Sequence, residues 1–241
     1  MFVVSIMPCS CKKYEKERPE MECDGHRDVD AVLTTRELGR LIRRSGINFT
    51  KLPEEDFDED IVHDYTGAGV IFGVTGGVME AALRTAYFVL TGKEREGIVF
   101  NEVRGFESIR EAEFDLNGQK LKVAVTSGMK GAKVLLDQIR EGTSPYTFIE
   151  VMGCPGGCIN GGGQPYVRPA LLPNEDADIL DTYIEKRAAA LYSEDERQTL
   201  RQSHNNPQLK TLYNEFLGEP NSHKAHELLH THYSPRVGFD D

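Results

Sequence analysis

The chain has 241 residues, 39% of them hydrophobic and 28% charged, and a formal net charge of −11. That length buries a real core, as one large domain or one domain with an extension. The acidic balance argues against nucleic acid, whose phosphates it repels unless a local basic patch intervenes, and the sequence shows no such patch.

No stretch approaches the about 18 consecutive apolar residues of a membrane-spanning helix. Nor is there a charged leader followed by an apolar run and a cleavage site, so a cytoplasmic location is expected.

Phe2, Val3, Val4 and Ile6 read as a strand ending at Met7-Pro8-Cys9-Ser10-Cys11-Lys12-Lys13. Val29 to Leu33 reads as a second strand. Thr34 and Glu37 then form a capping box for a helix that turns Leu38, Leu41 and Ile42 inward and stops at Ser45-Gly46. Glu54, Glu55, Asp56, Asp58, Glu59 and Asp60 form an acidic loop, read as solvated, with docking to an electron-transfer partner as the alternative.

The glycine-rich lead-in from Gly67 to Gly77 fits neither the dinucleotide fingerprint nor the P-loop, and points to close packing beside a cofactor. It opens a helix with Val78, Ala82, Ala86 and Val89 at core spacing, stopped by Gly92. Arg104, Glu107, Arg110, Glu111 and Glu113 read as a solvated mixed-charge face. A hairpin turn at Asn117-Gly118 follows.

Leu121 to Val125 reads as a strand, Lys130 to Arg140 as a helix ended by Gly142, and Tyr146 to Val151 as a strand delivering Met152 and Cys154 to its tip. Strand tips are where open α/β sheets place their sites. Beyond Pro173 the chain turns to polar amphipathic helices. One starts at Asn206-Pro207, with Leu209, Leu212, Tyr213 and Phe216 inward and Gly218 as its stop. The expected fold is α/β: mostly parallel sheet layers with crossover helices, a cofactor site at strand tips, and a C-terminal helical wrap.

Five cysteines are an odd count, clustered as Cys9 with Cys11 and Cys154 with Cys158, which suits metal or redox chemistry better than a disulfide framework. Cys154-Pro155-Gly156-Gly157-Cys158 and Gly161-Gly162-Gly163-Gln164-Pro165 supply thiolates within backbone that approaches a bulky group closely. An iron-sulfur cluster is the leading reading and structural zinc the alternative. Cys9, Cys154 and Cys158 are the candidate ligands, with Cys11 and Cys23 as possible fourths. His223, His226 and His230 share a helical face with His232 close behind; they read as structural, docking the wrap, with metal binding as the alternative.

Met7-Pro8-Cys9-x-x-Lys12, Glu150-x-Met152-x-Cys154-Pro155-Gly156-Gly157-Cys158 and Gly161-Gly162-Gly163-Gln164-Pro165 resemble the second and third signature motifs of the [FeFe]-hydrogenases. Phe216-Leu217-Gly218-Glu219-Pro220 and the segment from His226 to Tyr233 resemble that family's small-subunit segment. The resemblance implies residues 1–172 as the C-terminal part of the cluster-binding region and 173–241 as a small-subunit-like helical segment. It implies a [4Fe-4S] cubane held by Cys9, Cys154 and Cys158, with Cys158 also bridging to a diiron unit that bears CO, CN⁻ and a dithiolate. Lys12 would donate to a cyanide, while Met7, Met152 and Phe72 would form apolar walls.

The implied activity is reversible reduction of protons to H₂, with electrons passed to ferredoxin or an NAD(P)-linked partner. The family's first cysteine motif is missing, so one cluster ligand and the proton-transfer cysteine are expected upstream or on a companion chain. The piece alone is then expected to be inactive, and maturation proteins are expected partners. A non-catalytic iron-sulfur assembly protein of the nuclear prelamin-recognition type is one rival, although Pro-Ser-Gly is expected there in place of Pro155-Gly156-Gly157. An H₂-sensing hydrogenase and a remnant that binds nothing are the others.

Overall fold

The computed structural model describes residues 1–55, 57–58, 63–116, 118–166 and 179–232. Two parallel strand pairs organise it. Strand β1 (Val4–Met7) is followed by the one-turn helix α1 (Lys12–Glu15) and a short ribbon of β2 (Glu22–Cys23) and β3 (His26–Arg27). The chain then returns as β4 (Ala31–Thr34), which pairs parallel to β1 with Met7 opposite Thr34.

Thr34 caps helix α2 (Thr35–Arg44) with the reciprocal capping box expected from its spacing to Glu37. The Thr34 backbone N–H, the Lys13 ammonium and the Thr34 hydroxyl, all donating to it, hold the Glu37 carboxyl down at about 2. Thr34→Ala removes one side of that box and is expected to destabilise the chain by about 1 kcal/mol, read from the urea unfolding midpoint. Leu41, expected inward, is 52% exposed, and α2 has no fully buried residue. The helix rests on the β1–β4 pair by its edge.

Helix α3 (Gly67–Val70) leads through a tight turn, Ile71–Gly73, into α4 (Gly77–Thr91), which ends at Gly92 with φ +66°. Next come β5 (Ile109–Leu116) and β6 (Gln119–Ser127), an antiparallel hairpin, then helix α5 (Met129–Arg140) and β7 (Phe148–Met152). Strand β7 lies parallel to β6 with Met152 opposite Ser127. The unit β6-α5-β7 is the expected crossover, and β5 adds an antiparallel edge to it. Asn117 of the expected hairpin turn lies outside the described residues, as do Asp56, Glu59, Asp60, Pro173 and Tyr233.

The main core forms where α4 lies on the hairpin, with Met79 and Leu83 against Ala112, Phe114, Val123, Val125, Phe100 and Val103. This corrects the helix face read from sequence. Ala82 and Val89 are exposed, whereas the buried side of α4 carries Glu80 and Arg84, both essentially inaccessible. They are buried because helix α6 (Ile179–Arg197) brings Asp195 to them. Arg84 donates from both terminal nitrogens to the Asp195 carboxylate at 2.8 Å and to Glu80 at 2.8 Å, and Arg104 adds two more bonds to Glu80.

Arg104 is thus an inward partner and not part of a solvated face. The same holds for Arg110, which is 7% exposed and donates to the Val103 carbonyl and the Thr75 hydroxyl. Burial opposes the Arg84 charge, but its bonds to Asp195 and Glu80 outweigh that and hold its pKa above the ordinary value.

Beyond α6, Asn206 caps α7 (Pro207–Leu212) as expected. The helix then widens into a π-turn over Tyr213–Leu217, which inserts a residue per turn, so Leu217 is buried and Phe216, expected inward, is exposed. The last described helix is α8 (His223–Leu229). Its histidines do not dock it. Ala225 occupies the buried position, while His226 and His230 are exposed and stack on each other at 4.6 Å. No helix among the described residues is long and apolar enough to cross a membrane.

Candidate thiolate site

Each parallel pair ends in a cysteine-bearing loop. Cys9 lies two residues past β1, and Cys154 two residues past β7. Gly156 and Gly157 then turn the chain at φ +79° and +102°, a region that disfavours side chains, and the turn tucks against the Ile71–Gly73 turn. A Cβ on Gly157 would stand 2.6 Å from the Thr75 nitrogen and 2.8 Å from the Gly73 oxygen. The Thr75 N–H donates to the Gly156 carbonyl at 3.1 Å, and the Gly156 N–H to the Ser127 hydroxyl at 3.2 Å.

After Cys158 the glycine run doubles back onto the Cys9 loop. The Gly163 N–H donates to the Pro8 carbonyl at 3.0 Å, and Cβ atoms on Gly161 and Gly163 would stand 2.0 Å from the Pro8 oxygen and 3.0 Å from the Cys9 nitrogen. The glycines therefore serve to lay one cysteine loop on the other. Arg36 holds the outside of this run through the Gly162 carbonyl at 2.7 Å, and Arg187 of α6 holds it through the carbonyls of Ile159 and Pro165.

The result is a group of mutually repelling sulfurs. Burial pushes the Cys154 thiol pKa up, and negative charge on Cys9, Cys158 and Cys11 pushes it further. Burial and Cys9 do the same to Cys158, opposed by the Lys12 ammonium. Cys11 is exposed, but its charge reaches Cys154, so it neighbours the group. Cys23 is exposed on the β2–β3 ribbon, paired in register with His26.

Lys12, at the start of α1, also forms an ion pair with Glu15. Met7 and Met152, half-buried, are the last residues of β1 and β7. Phe72 is 46% exposed, on the turn against which Gly157 packs.

Sequence reading placed Glu150 in the third motif but gave it no role. It sits inside β7, buried, and accepts the Gly76 N–H at 2.5 Å and the Met79 N–H at 2.7 Å across more than 70 residues. Gly76 offers α4 no side-chain cap, so this remote carboxylate satisfies the helix's first free N–H groups and faces the positive end of its dipole. Burial lifts its pKa against the pull of those bonds and of Arg110. A lone carboxylate in the apolar run Phe148-Ile149-Glu150-Val151 was the available signal, since an inward charge needs a partner.

Among the described residues, no three His, Cys, Asp or Glu side chains close on one point tightly enough for a single metal ion. An iron-sulfur cubane asks for something wider, because each thiolate meets its own iron at a separate corner. The donor set fits such a group: soft sulfur ligands, glycine-built walls, and thiols whose ionisation is opposed until a cationic metal stands among them. The structure thus defines an α/β protein in which two cysteine-bearing loops meet beyond two strand tips.

Comparison with known proteins gives the family. The model of the iron only hydrogenase large subunit, C-terminal domain, matches residues 1–162, and that of the iron hydrogenase small subunit matches residues 181–236. The chain belongs to the iron-only hydrogenase family.

It is 47% identical over 236 residues to the NADP-reducing hydrogenase subunit HndD of Solidesulfovibrio fructosivorans, covering 98% of this chain and 38% of that one. A structure of a variant of [FeFe]-hydrogenase HydA1 from Chlamydomonas reinhardtii superposes with a TM-score of 0.74 at 40% identity, covering 97% of this chain and 63% of that chain. Protein NAR1 of Arabidopsis thaliana is 33% identical over 252 residues, covering 98% of this chain and 51% of that one. The chain thus spans well under half the length of HndD.

Proposed function

We propose that this chain forms the C-terminal part of an [FeFe]-hydrogenase catalytic region, in which protons are reversibly reduced to H₂. In this reading residues 1–172 carry the cluster region and residues 173–241 the small-subunit-like segment. Cys9, Cys154 and Cys158 would hold a [4Fe-4S] cubane, and Cys158 would also join it to a diiron unit bearing CO, CN⁻ and a dithiolate. The observation that carries the reading is the meeting of thiols from loops about 145 residues apart in sequence, seated by glycines that tolerate no side chain.

When bound, the cluster supplies the electron transfer and the H–H bond chemistry. The protein's own residues seat and tune it. Lys12 places a cation beside Cys158 and favours its thiolate, and in this reading it also donates to a cyanide ligand. Met7, Met152 and Phe72 present polarizable, apolar surface that keeps water from the metal. Electrons leave to ferredoxin or an NAD(P)-linked subunit in the cytoplasm, and maturation proteins deliver the diiron unit.

Similarity to the cytosolic iron-sulfur assembly component 3 of Mus musculus, 31% identical over 238 residues, supports a second reading, an iron-sulfur assembly protein without the diiron unit. Gly156 favours the first. At φ +79°, with Ile184 only 2.7 Å from where a Cβ would stand, it leaves no room for the serine expected in the assembly proteins. Cys158→Ser in the maturated protein is expected to abolish the infrared bands of bound CO and CN⁻ while leaving the fold intact by circular dichroism. Bands that persist in the variant would remove Cys158 from the bridge.

A further inference from the structure

A neutral side chain is enough to cap a helix, and Ser, Thr and Asn are the usual choices. Helix α4 has a full charge instead, the buried Glu150 carboxylate brought to it by β7. Burying a charge costs far more desolvation than burying a hydroxyl or an amide. The charge lies where it bears on the cysteine turn. Glu150 accepts the Gly76 N–H, while the N–H of the preceding residue, Thr75, donates to the Gly156 carbonyl at 3.1 Å. Two consecutive N–H groups therefore point to different partners, Thr75 to the cysteine turn and Gly76 to the carboxylate. The Thr75 nitrogen is also the atom that a Cβ on Gly157 would meet at 2.6 Å. One residue thus separates the buried anion from the turn that ends at Cys158, and its charge reaches that thiol, disfavouring the thiolate.

A buried cation stands on the other side of the same segment. Arg110 donates to the Thr75 hydroxyl at 3.1 Å and lies 3.3 Å from where a Cβ on Gly76 would stand. Its other bonds go to the Val103 and Gly105 carbonyls, so Glu150 and Glu107 answer its charge only through space. Thr75 and Gly76 are held between two opposite charges, both inside the protein.

We propose that Glu150 is a positioning residue that also sets the charge felt by the cluster: its carboxylate holds the Thr75–Gly76 segment against the cysteine turn and lowers the reduction potential of the cubane seated there, with Arg110 acting in the opposite sense. The proposal rests on the hydrogenase reading above and deepens it. Cluster potentials follow net charge, hydrogen bonding and solvent exposure. A fixed anion opposes the arrival of an electron, and a buried one does so in a low dielectric that salt screens little.

The test is a redox titration of the holoprotein, followed through the electron paramagnetic resonance of the reduced cubane. Glu150→Gln keeps the shape of the side chain and removes its charge, leaving Arg110 and the positive end of α4 unanswered; the midpoint potential is expected to rise. Arg110→Gln removes the cation and is expected to lower it. Thr75→Val takes away the hydroxyl that accepts from Arg110, disturbing the same segment with no change of charge, and is expected to leave the potential at the parent value. The Glu150→Gln offset should be the same at low and high salt, because the charge is buried.

Equal potentials in the parent and Glu150→Gln would overturn the proposal. So would shifts of the same sign in Glu150→Gln and Arg110→Gln, since loosened packing has no reason to follow the sign of the charge removed. If one of these two variants takes up no iron, the other decides, by the sign of its shift relative to Thr75→Val. A parent that takes up no cubane counts instead against the hydrogenase reading, and iron and sulfide content show this before any variant is compared.

Discussion

Arg84→Ala is expected to lower the unfolding free energy by about 3–5 kcal/mol, the cost of stranding buried charges whose partner has been removed. Arg84 is the shared hub of Glu80 and Asp195, all three sealed from solvent, and it also donates to the carbonyls of Ile98 and Arg201. Its loss leaves two carboxylates buried with only Arg104 and Arg201, each partly exposed, to answer them.

The control is Arg201→Ala, whose side chain is 24% exposed and whose loss should cost about 1 kcal/mol or less. Urea unfolding reads both. A change below about 1 kcal/mol for Arg84→Ala would mean that the cluster contributes little net stability, as some buried ion groups do.

The same cluster gives the acid limit. Burial pushes the Asp195 carboxyl up, but bonds from Arg84 and Arg201 hold it below its ordinary 3.8. A carboxyl depressed in the folded state stabilises above its unfolded pKa and loses that contribution as pH falls through the folded one. Stability is therefore expected to drop below about pH 4, and Asp195→Asn should flatten that part of the profile.

Gly161→Ala is the second large effect. Its Cβ would stand 2.0 Å from the Pro8 oxygen and 2.9 Å from the Pro8 carbon, backbone atoms that cannot rotate aside, so the glycine run must lift from the Cys9 loop. Overpacking of this kind costs about 1–3 kcal/mol, but the sharper consequence is that Cys9 and Cys158 move apart. Reconstitution with iron and sulfide should then yield little cluster, read from its visible absorbance and from iron content. Gly162→Ala is the comparison: its Cβ would meet only the rotatable Ser10 hydroxyl at 3.1 Å, and cluster uptake should stay near the parent value. Equal uptake by the two variants would mean that the loop contact does not set the thiol spacing.

Local signals in the sequence were dependable where the cause was local. The Thr34–Glu37 box and the helix stops at Gly46, Gly92 and Gly142, all at positive φ, rest on a few neighbouring atoms and appear where expected. The strands that deliver Cys9 and Cys154 were legible from apolar runs, and the cysteine spacing marked the two loops that the structure lays against each other. Long-range pairing was not legible. Glu80 and Arg84 look like a solvent face until Asp195 arrives from 111 residues away, and Arg110 looks exposed until Thr75 accepts from it. Phe216 was misplaced because a π-turn breaks the 3.6-residue period on which the inward face was counted.

Helix α4 is finished at both stations by groups foreign to it: the strand that carries Cys154 closes its first turn through Glu150, and the C-terminal segment neutralises its middle through Asp195. The wrap is therefore more than an outer coat. Were that segment delivered by a second polypeptide, the body that carries the cysteine loops would wait for it with the buried Arg84 guanidinium answered by only one carboxylate, Glu80. Assembly of the two pieces and completion of the scaffold behind the thiols would then be a single event.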